Sequence, residues 1–216
     1  MSFNAATSPS HEGKLPTRTS YAIADKIEQD EEDIQYFNEC LAASHKVQAE
    51  QEAKVQRAEN KLRDKASLGE EAPRLGNIRG EWTLYSSAFL DLIAEDIKTD
   101  EPEELENFVA GSVEISQDLI DGLVPRTFPD VGVEFSFTGV HNEGYQFDLR
   151  TPWSASLDPV KVNCCVIGNQ RYLQIDVTFL GKGMLKIAFP GSEFCENYKG
   201  WGEIVFVGMQ TKTGAG

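Results

Sequence analysis

This chain lacks most of the signatures that would assign it a chemistry. It has no apolar run near the roughly 18 residues of a membrane-spanning helix. It has no G-x-S-x-G, which excludes a nucleophile elbow, and no C-x-x-C pair, which argues against a zinc site. Its four cysteines are Cys40, Cys164, Cys165 and Cys195. They fit a reduced compartment, with a disulfide from Cys195 to Cys164 or Cys165 left open. Its three histidines, His11, His45 and His141, fall in a tail, a helix and a turn, and none has metal-ligand spacing. Positive charge is scarce: 20 Lys+Arg stand against 35 Asp+Glu, for a net charge of −15 and a pI near 4.6. Before Gly69 the count is 9 against 12, and from Gly69 onward it is 11 against 23, so the second part carries the acidity. Such a surface repels nucleic-acid phosphates and anionic lipid alike.

The N-terminal stretch has no apolar core of a secretory signal. Residues 1–20 are rich in Ser and Thr, with Lys14 and Arg18 and one acid, Glu12. The composition fits an organelle transit segment or a disordered tail. Residues 21–68 contain no Pro or Gly and are dominated by Ala, Glu, Gln and Lys, which predicts one long helix. Ser20 is its expected N-cap and Gly69 its expected stop. One heptad position reads Ile27, Ile34, Leu41, Gln48, Val55 and Leu62; its companion reads Ile23, Asp30, Phe37, Ser44, Gln51 and Ala58. The helix either lies on its own domain, or uses Ile23, Ile27, Ile34, Phe37 and Leu41 to dock on a partner or a second copy. On the second reading residues 70–216 fold without it.

Residues 69–79, with Gly69, Pro73 and Gly76, read as a linker, and residues 80–216 as a β domain. Gly80-Glu81-Trp82-Thr83-Leu84 opens that domain with Trp82 and Leu84 on one strand face. Ser86 or Ser87 then caps a helix carrying Phe89, Leu90, Ile93, Ala94 and Ile97. After an acidic loop from Asp96 to Glu106, alternation of period two dominates: Val131, Val133, Phe135 and Phe137; Tyr145, Phe147 and Leu149; Leu173, Ile175, Val177 and Phe179; Leu185, Ile187 and Phe189. Further strands are expected at 112–116, 119–124, 160–167 and 203–209, with turns at 139–144, 168–169 and 181–183. Eight or nine short strands with no helix between them predict an antiparallel meander, closed or nearly so.

The alternation places Glu134, Asp148 and Asp176 outside, so an interior carboxylate pair for glycoside hydrolysis is disfavoured. The inward set, Trp82, Leu84, Phe135, Phe137, Phe147, Ile175, Val177 and Phe179, either fills a core or lines an apolar pocket, with Tyr85 and Trp153 near the ends. Trp82 is expected to be buried at the closed end, against Ile204 and Phe206. Gly181-Lys182-Gly183 begins like a phosphate loop but lacks the later glycine and the helix, and reads as a turn.

Gly80-Glu81-Trp82 resembles the G-x-W opening of lipocalin-type barrels. The run Gly80 to Ser87, followed by an apolar helix, is similar to the opening of the plastid lipid-associated proteins, the fibrillins. The family's late Asp-Glu-Asp run leading to Arg-x-x-Arg-Gly is absent. The resemblance implies a mainly β fold, a lipocalin-like antiparallel barrel of about eight strands with a long N-terminal helical extension. It also implies a plastid setting, thylakoid-associated or stromal, and a lipid, pigment or quinone as ligand; without it a cytoplasmic setting is expected. Three functions follow. The first is non-enzymatic binding of a lipophilic molecule or a lipid-rich surface. The second is an assembly subunit of a larger, photosynthetic complex, docking by its helix with a filled barrel. The third is an enzyme in the barrel cavity. No cofactor, metal, nucleic-acid partner or transmembrane segment is expected, and peripheral membrane association stays open.

Overall fold

Every strand of the second part pairs with its neighbours in the chain, and the last returns to the first. The computed structural model describes residues 18–94, 105–116, 130–139, 144–150, 152–167, 171–194 and 202–213, except for the side chains of 18–30 and of Asp130. The elements run α1 (Arg18–Ser67), β1 (Gly80–Tyr85), α2 (Ser87–Ala94), β2 (Gly111–Ser116), β3 (Asp130–Phe137), β4 (Tyr145–Arg150), β5 (Val160–Val166), β6 (Arg171–Gly181), β7 (Met184–Pro190) and β8 (Glu203–Thr213). The eight strands form a closed antiparallel barrel in sequence order. Closure leaves no sheet edge to template aggregation. A 3-10 turn, Gly191–Glu193, follows β7. The expected strand at 119–124, the middle of the 139–144 connection, Ile97, Cys195 and Trp201 lie outside the described residues.

Local chemistry explains the ends of the elements. Ser86 Oγ accepts from Phe89 N at 3.2 Å, so Ser86 is the N-cap of α2. At the end of α1, Glu70 N donates to Lys65 O at 2.9 Å and Gly69 N to Ala66 O at 3.1 Å, with Gly69 at φ 69°. These are the two bonds of a Schellman stop, which needs the left-handed residue glycine supplies. The helix starts at Arg18, so Ser20 lies within its first turn instead of capping it.

Trp82 is buried, with Nε1 donating to Ile78 O at 3.0 Å. Its expected neighbours are corrected by the register. Trp82 pairs with Gln210 of β8 and Val113 of β2, while Ile204 and Phe206 pair with Phe189 and Ile187 of β7. β8 has 11 residues; its first half completes β7 and its second half closes on β1, so Ile204 lies at the other end of the barrel. Trp153 is 74% exposed instead of lining an end. Residues 73–75 do more than link. Ala155 N donates to Pro73 O and Leu75 N to Trp153 O, and Leu75 and Ile78 are buried across that end.

Candidate functional site

The eight residues expected to line a pocket do share the interior. Trp82, Leu84, Phe135, Phe137, Phe147, Ile175, Val177 and Phe179 are all buried, none more than 6% exposed. Surface facing an internal void would count as exposed, so these side chains face one another rather than open space. The rings show how. In an eight-stranded meander β3 faces β7 across the lumen. Phe135 of β3 meets Phe189 of β7 with ring centroids 5.3 Å apart, and Phe137 meets Phe206 of β8 at 4.5 Å. Phe89 of α2 enters from the end and touches Phe137 at 5.7 Å and Phe206 at 5.3 Å. Contacts at these separations are the edge-to-face and offset arrangements that add to burial. An eight-stranded barrel is just wide enough for side chains to fill, and here aromatic rings fill this end.

The thiols follow the same geometry. Cys164 faces inward and its neighbour Cys165 outward, as adjacent strand residues must. Burial pushes the Cys164 thiol up to about 12, with Cys165 beside it adding to the effect. Cys40, Cys164 and Cys165 are free thiols. Among the described residues, no group of three or more His, Cys, Asp or Glu is placed to hold a metal ion.

The other surface of interest is α1. The heptad seam lies on the barrel from Phe37 to Leu62: Phe37, Cys40, Ser44, Gln48, Val55 and Leu62 are buried, and Leu41 and Ala58 pack against the core. Under the helix, Leu180 and Val207 are buried on the outer faces of β6 and β8. Phe37 and Leu41 are therefore used by the chain itself and are not free for a partner. Ile34 is 50% exposed, and the side chains of Ile23 and Ile27 lie outside the described ones.

The polar seam positions are latches. Gln48 is fully buried; its Nε2 donates to Phe108 O at 2.9 Å and its Oε1 accepts from Ser86 N at 2.8 Å. Ser44 Oγ donates to Leu105 O at 2.5 Å. Glu52 accepts from Ser87 N at 2.7 Å and from Ser87 Oγ at 3.0 Å, placing a carboxylate at the start of α2 where the helix dipole favours it. Lys186 Nζ lies 2.6 Å from Glu59, and His45 Nε2 lies 3.1 Å from Asp91. Tyr36 OH donates to Glu106 at 2.5 Å, and that bond raises the phenol's pKa.

No known protein family, curated protein or solved structure matches the chain. The site must therefore be read from its own geometry. Sequence reasoning missed two features. It placed Gln48 and Ser44 on the seam without assigning them a partner, although a buried amide among apolar seam residues must find hydrogen-bond partners. It also passed over the outer hollow beside α1. That hollow, of about 520 Å³, is rimmed by Lys54, Arg57, Lys61, Lys65 and Lys182. The spacing 54, 57, 61, 65 was available as a signal, since those positions share one helix face.

Proposed function

We propose that the protein is a non-enzymatic assembly subunit, in which a filled barrel carries α1 as an arm for a protein partner. The observation that carries this reading is the packing of the lumen. A lipid or pigment inside would have to displace rings that already touch from opposite walls. A barrel filled this way serves as a rigid mount. A second fact supports the arm. Among the described side chains, burial of the seam ends at Phe37, while the helix continues back to Arg18, about 28 Å further at 1.5 Å per residue. Ile34 and Tyr36 are about half exposed there. Residues 25–39 carry Asp25, Glu28, Asp30, Glu31, Glu32, Asp33 and Glu39 against Lys26, so the partner surface is basic with an apolar seam. The resemblance of Gly80–Ser87 to plastid lipid-associated proteins adds a plastid setting to the proposal.

Deletion of residues 1–36 tests the arm. The truncated chain should keep its thermal melt, because the described seam burial begins at Phe37. A photo-crosslinker at Ile34 of the full chain should capture one protein reproducibly, and one at the exposed Gln56 should not. Equal capture from both positions, or none from Ile34, would remove the arm from the proposal.

A further inference from the structure

We propose that the groove between the C-terminal half of α1 and the β6–β7 hairpin binds a single-chain amphipath with an anionic head, a carboxylate or a phosphate ester. The groove holds about 520 Å³, within the range of small-molecule sites. Its floor is apolar: Ala58, Leu62, Pro73, Leu180 and Met184. Its rim is cationic: Lys54, Arg57, Lys61, Lys65 and Lys182. This is a concentration of five cations in a chain with only 20, where acids outnumber bases.

Outside the groove, Lys186 meets Glu59, Lys212 meets Glu81 and Lys161 meets Asp176, while Lys46, Arg74, Arg79 and Arg150 form no described ion pair. In the groove one of five cations is ion-paired. Lys65 pairs with Glu70, and Lys54 bonds only the neutral amide of Gln51. Among the described residues, Arg57, Lys61 and Lys182 make no ion pair or hydrogen bond. The helix dipole accounts for Lys65 in the last turn, but its effect fades within that turn and does not reach Lys54 or Arg57. Lys182 adds a separate sign. It sits at φ 53° between Gly181 and Gly183, a backbone region that a side chain enters at a cost and that glycine or asparagine fills more cheaply. That turn puts a cation at the groove's far rim.

The shape and the charge choose between a single molecule and a bilayer. A bilayer of anionic lipid would meet the whole protein, whose net charge of −15 repels it. One anionic head in the groove meets mainly the local cations, because charges further than a Debye length of about 8 Å are screened. The alkyl chain would lie on Leu62, Leu180 and Met184, below the cationic rim.

The test uses the full chain and titrates it with laurate and with dodecyl phosphate below their micelle concentrations. Dodecanol serves as the chain alone, inorganic phosphate as the head alone, and phosphatidylglycerol vesicles as the membrane. Both amphipaths should bind, and added salt should weaken them. Arg57→Glu with Lys61→Glu should weaken binding roughly tenfold or more, a few-fold for each exposed cation; Arg57→Lys with Lys61→Arg should preserve it. Both side chains are exposed and make no described side-chain hydrogen bond or ion pair, so the fold should be unchanged by circular dichroism. The proposal is overturned if the charge-reversed protein binds as the parent does, or if dodecanol or phosphate alone binds as well. Preference for the vesicles over the free amphipaths, or absence of any binding, overturns it too.

Discussion

Replacing Gln48 by leucine should detach the middle of α1 from the barrel rim. The two side chains have similar size, but leucine has no polar end. The change strands Ser86 N–H and Phe108 C=O, whose residues are buried, at the joint between β1, α2 and the loop before β2. A buried backbone group left unpaired costs about 1–3 kcal/mol, so two cost about 2–6 kcal/mol. Burying leucine in place of an amide returns about 1–2 kcal/mol. At the middle of these ranges the net expectation is a loss of about 2–3 kcal/mol, large against a typical total of about 5–15 kcal/mol. Gln48→Glu should also destabilise, because a carboxylate can accept from Ser86 N but faces the Phe108 carbonyl without a donor. Gln56→Ala is the control. Gln56 is exposed and bonds only Asn60 at 3.3 Å, so its loss should stay within about 0.5 kcal/mol. Urea unfolding at fixed pH measures all three, with an unchanged slope marking a pure stability effect. A Gln48→Leu protein as stable as the parent would mean that the amide does not latch the helix, and that α1 sits on the barrel through apolar contact alone.

Trp82→Ala should cost roughly 3–5 kcal/mol in the same assay, since it opens a large cavity and frees Ile78 O; Tyr172→Ala, at a ring 70% exposed, should cost little. Gly111→Ala should destabilise by about 1–3 kcal/mol or more, because a Cβ there would lie 2.2 Å from the backbone oxygen of Ser136, which cannot swing away; a thermal melt decides it. The raised Cys164 pKa makes stability fall in alkali. Between the ordinary thiol range and about 12 the unfolded chain gives up the proton that the folded chain keeps, so unfolding gains with rising pH. Urea midpoints at pH 7 and pH 10 should show this fall in the parent and a smaller one in Cys164→Ala.

Much of the barrel was legible because half-buried strands write a period of two into the chain. Phe135, Phe137, Phe147, Ile175, Val177 and Phe179 all fell on the inward face as their alternation requires. Ser86 and Gly69 were legible because caps and stops are local devices. The register of closure was not. Nothing near Trp82 specifies that it meets Gln210 rather than Phe206, since that depends on how far eight strands shift as they close. The latch at Gln48 was hidden for a similar reason. Its partners, Ser86 and Phe108, are 38 and 60 residues away, and only the folded chain shows that their backbone groups lack other partners. The groove joins Lys61 to Lys182, and no local pattern links a helix to a distant hairpin tip.

The charge distribution gives the two halves of α1 different roles. On the barrel's outer face, Glu81, Glu114 and Glu134 stand directly opposite one another across β1, β2 and β3. Like charges so placed cost a few tenths to about 1 kcal/mol for each pair, an amount water and salt reduce at an exposed face. Lys54, Arg57, Lys61 and Lys65 repel one another in the same way along α1, at about 0.2–0.5 kcal/mol for each neighbouring pair. The glutamates are spread over an open sheet, and Glu81 is already met by Lys212. The cations surround a concave apolar floor, and three of the five rim cations have no described partner. Glu59, two residues from Arg57, is turned to Lys186 instead. An occupant carrying negative charge would turn that repulsion into attraction. The helix thus divides at its latches, with an acidic length before them and a basic groove after them.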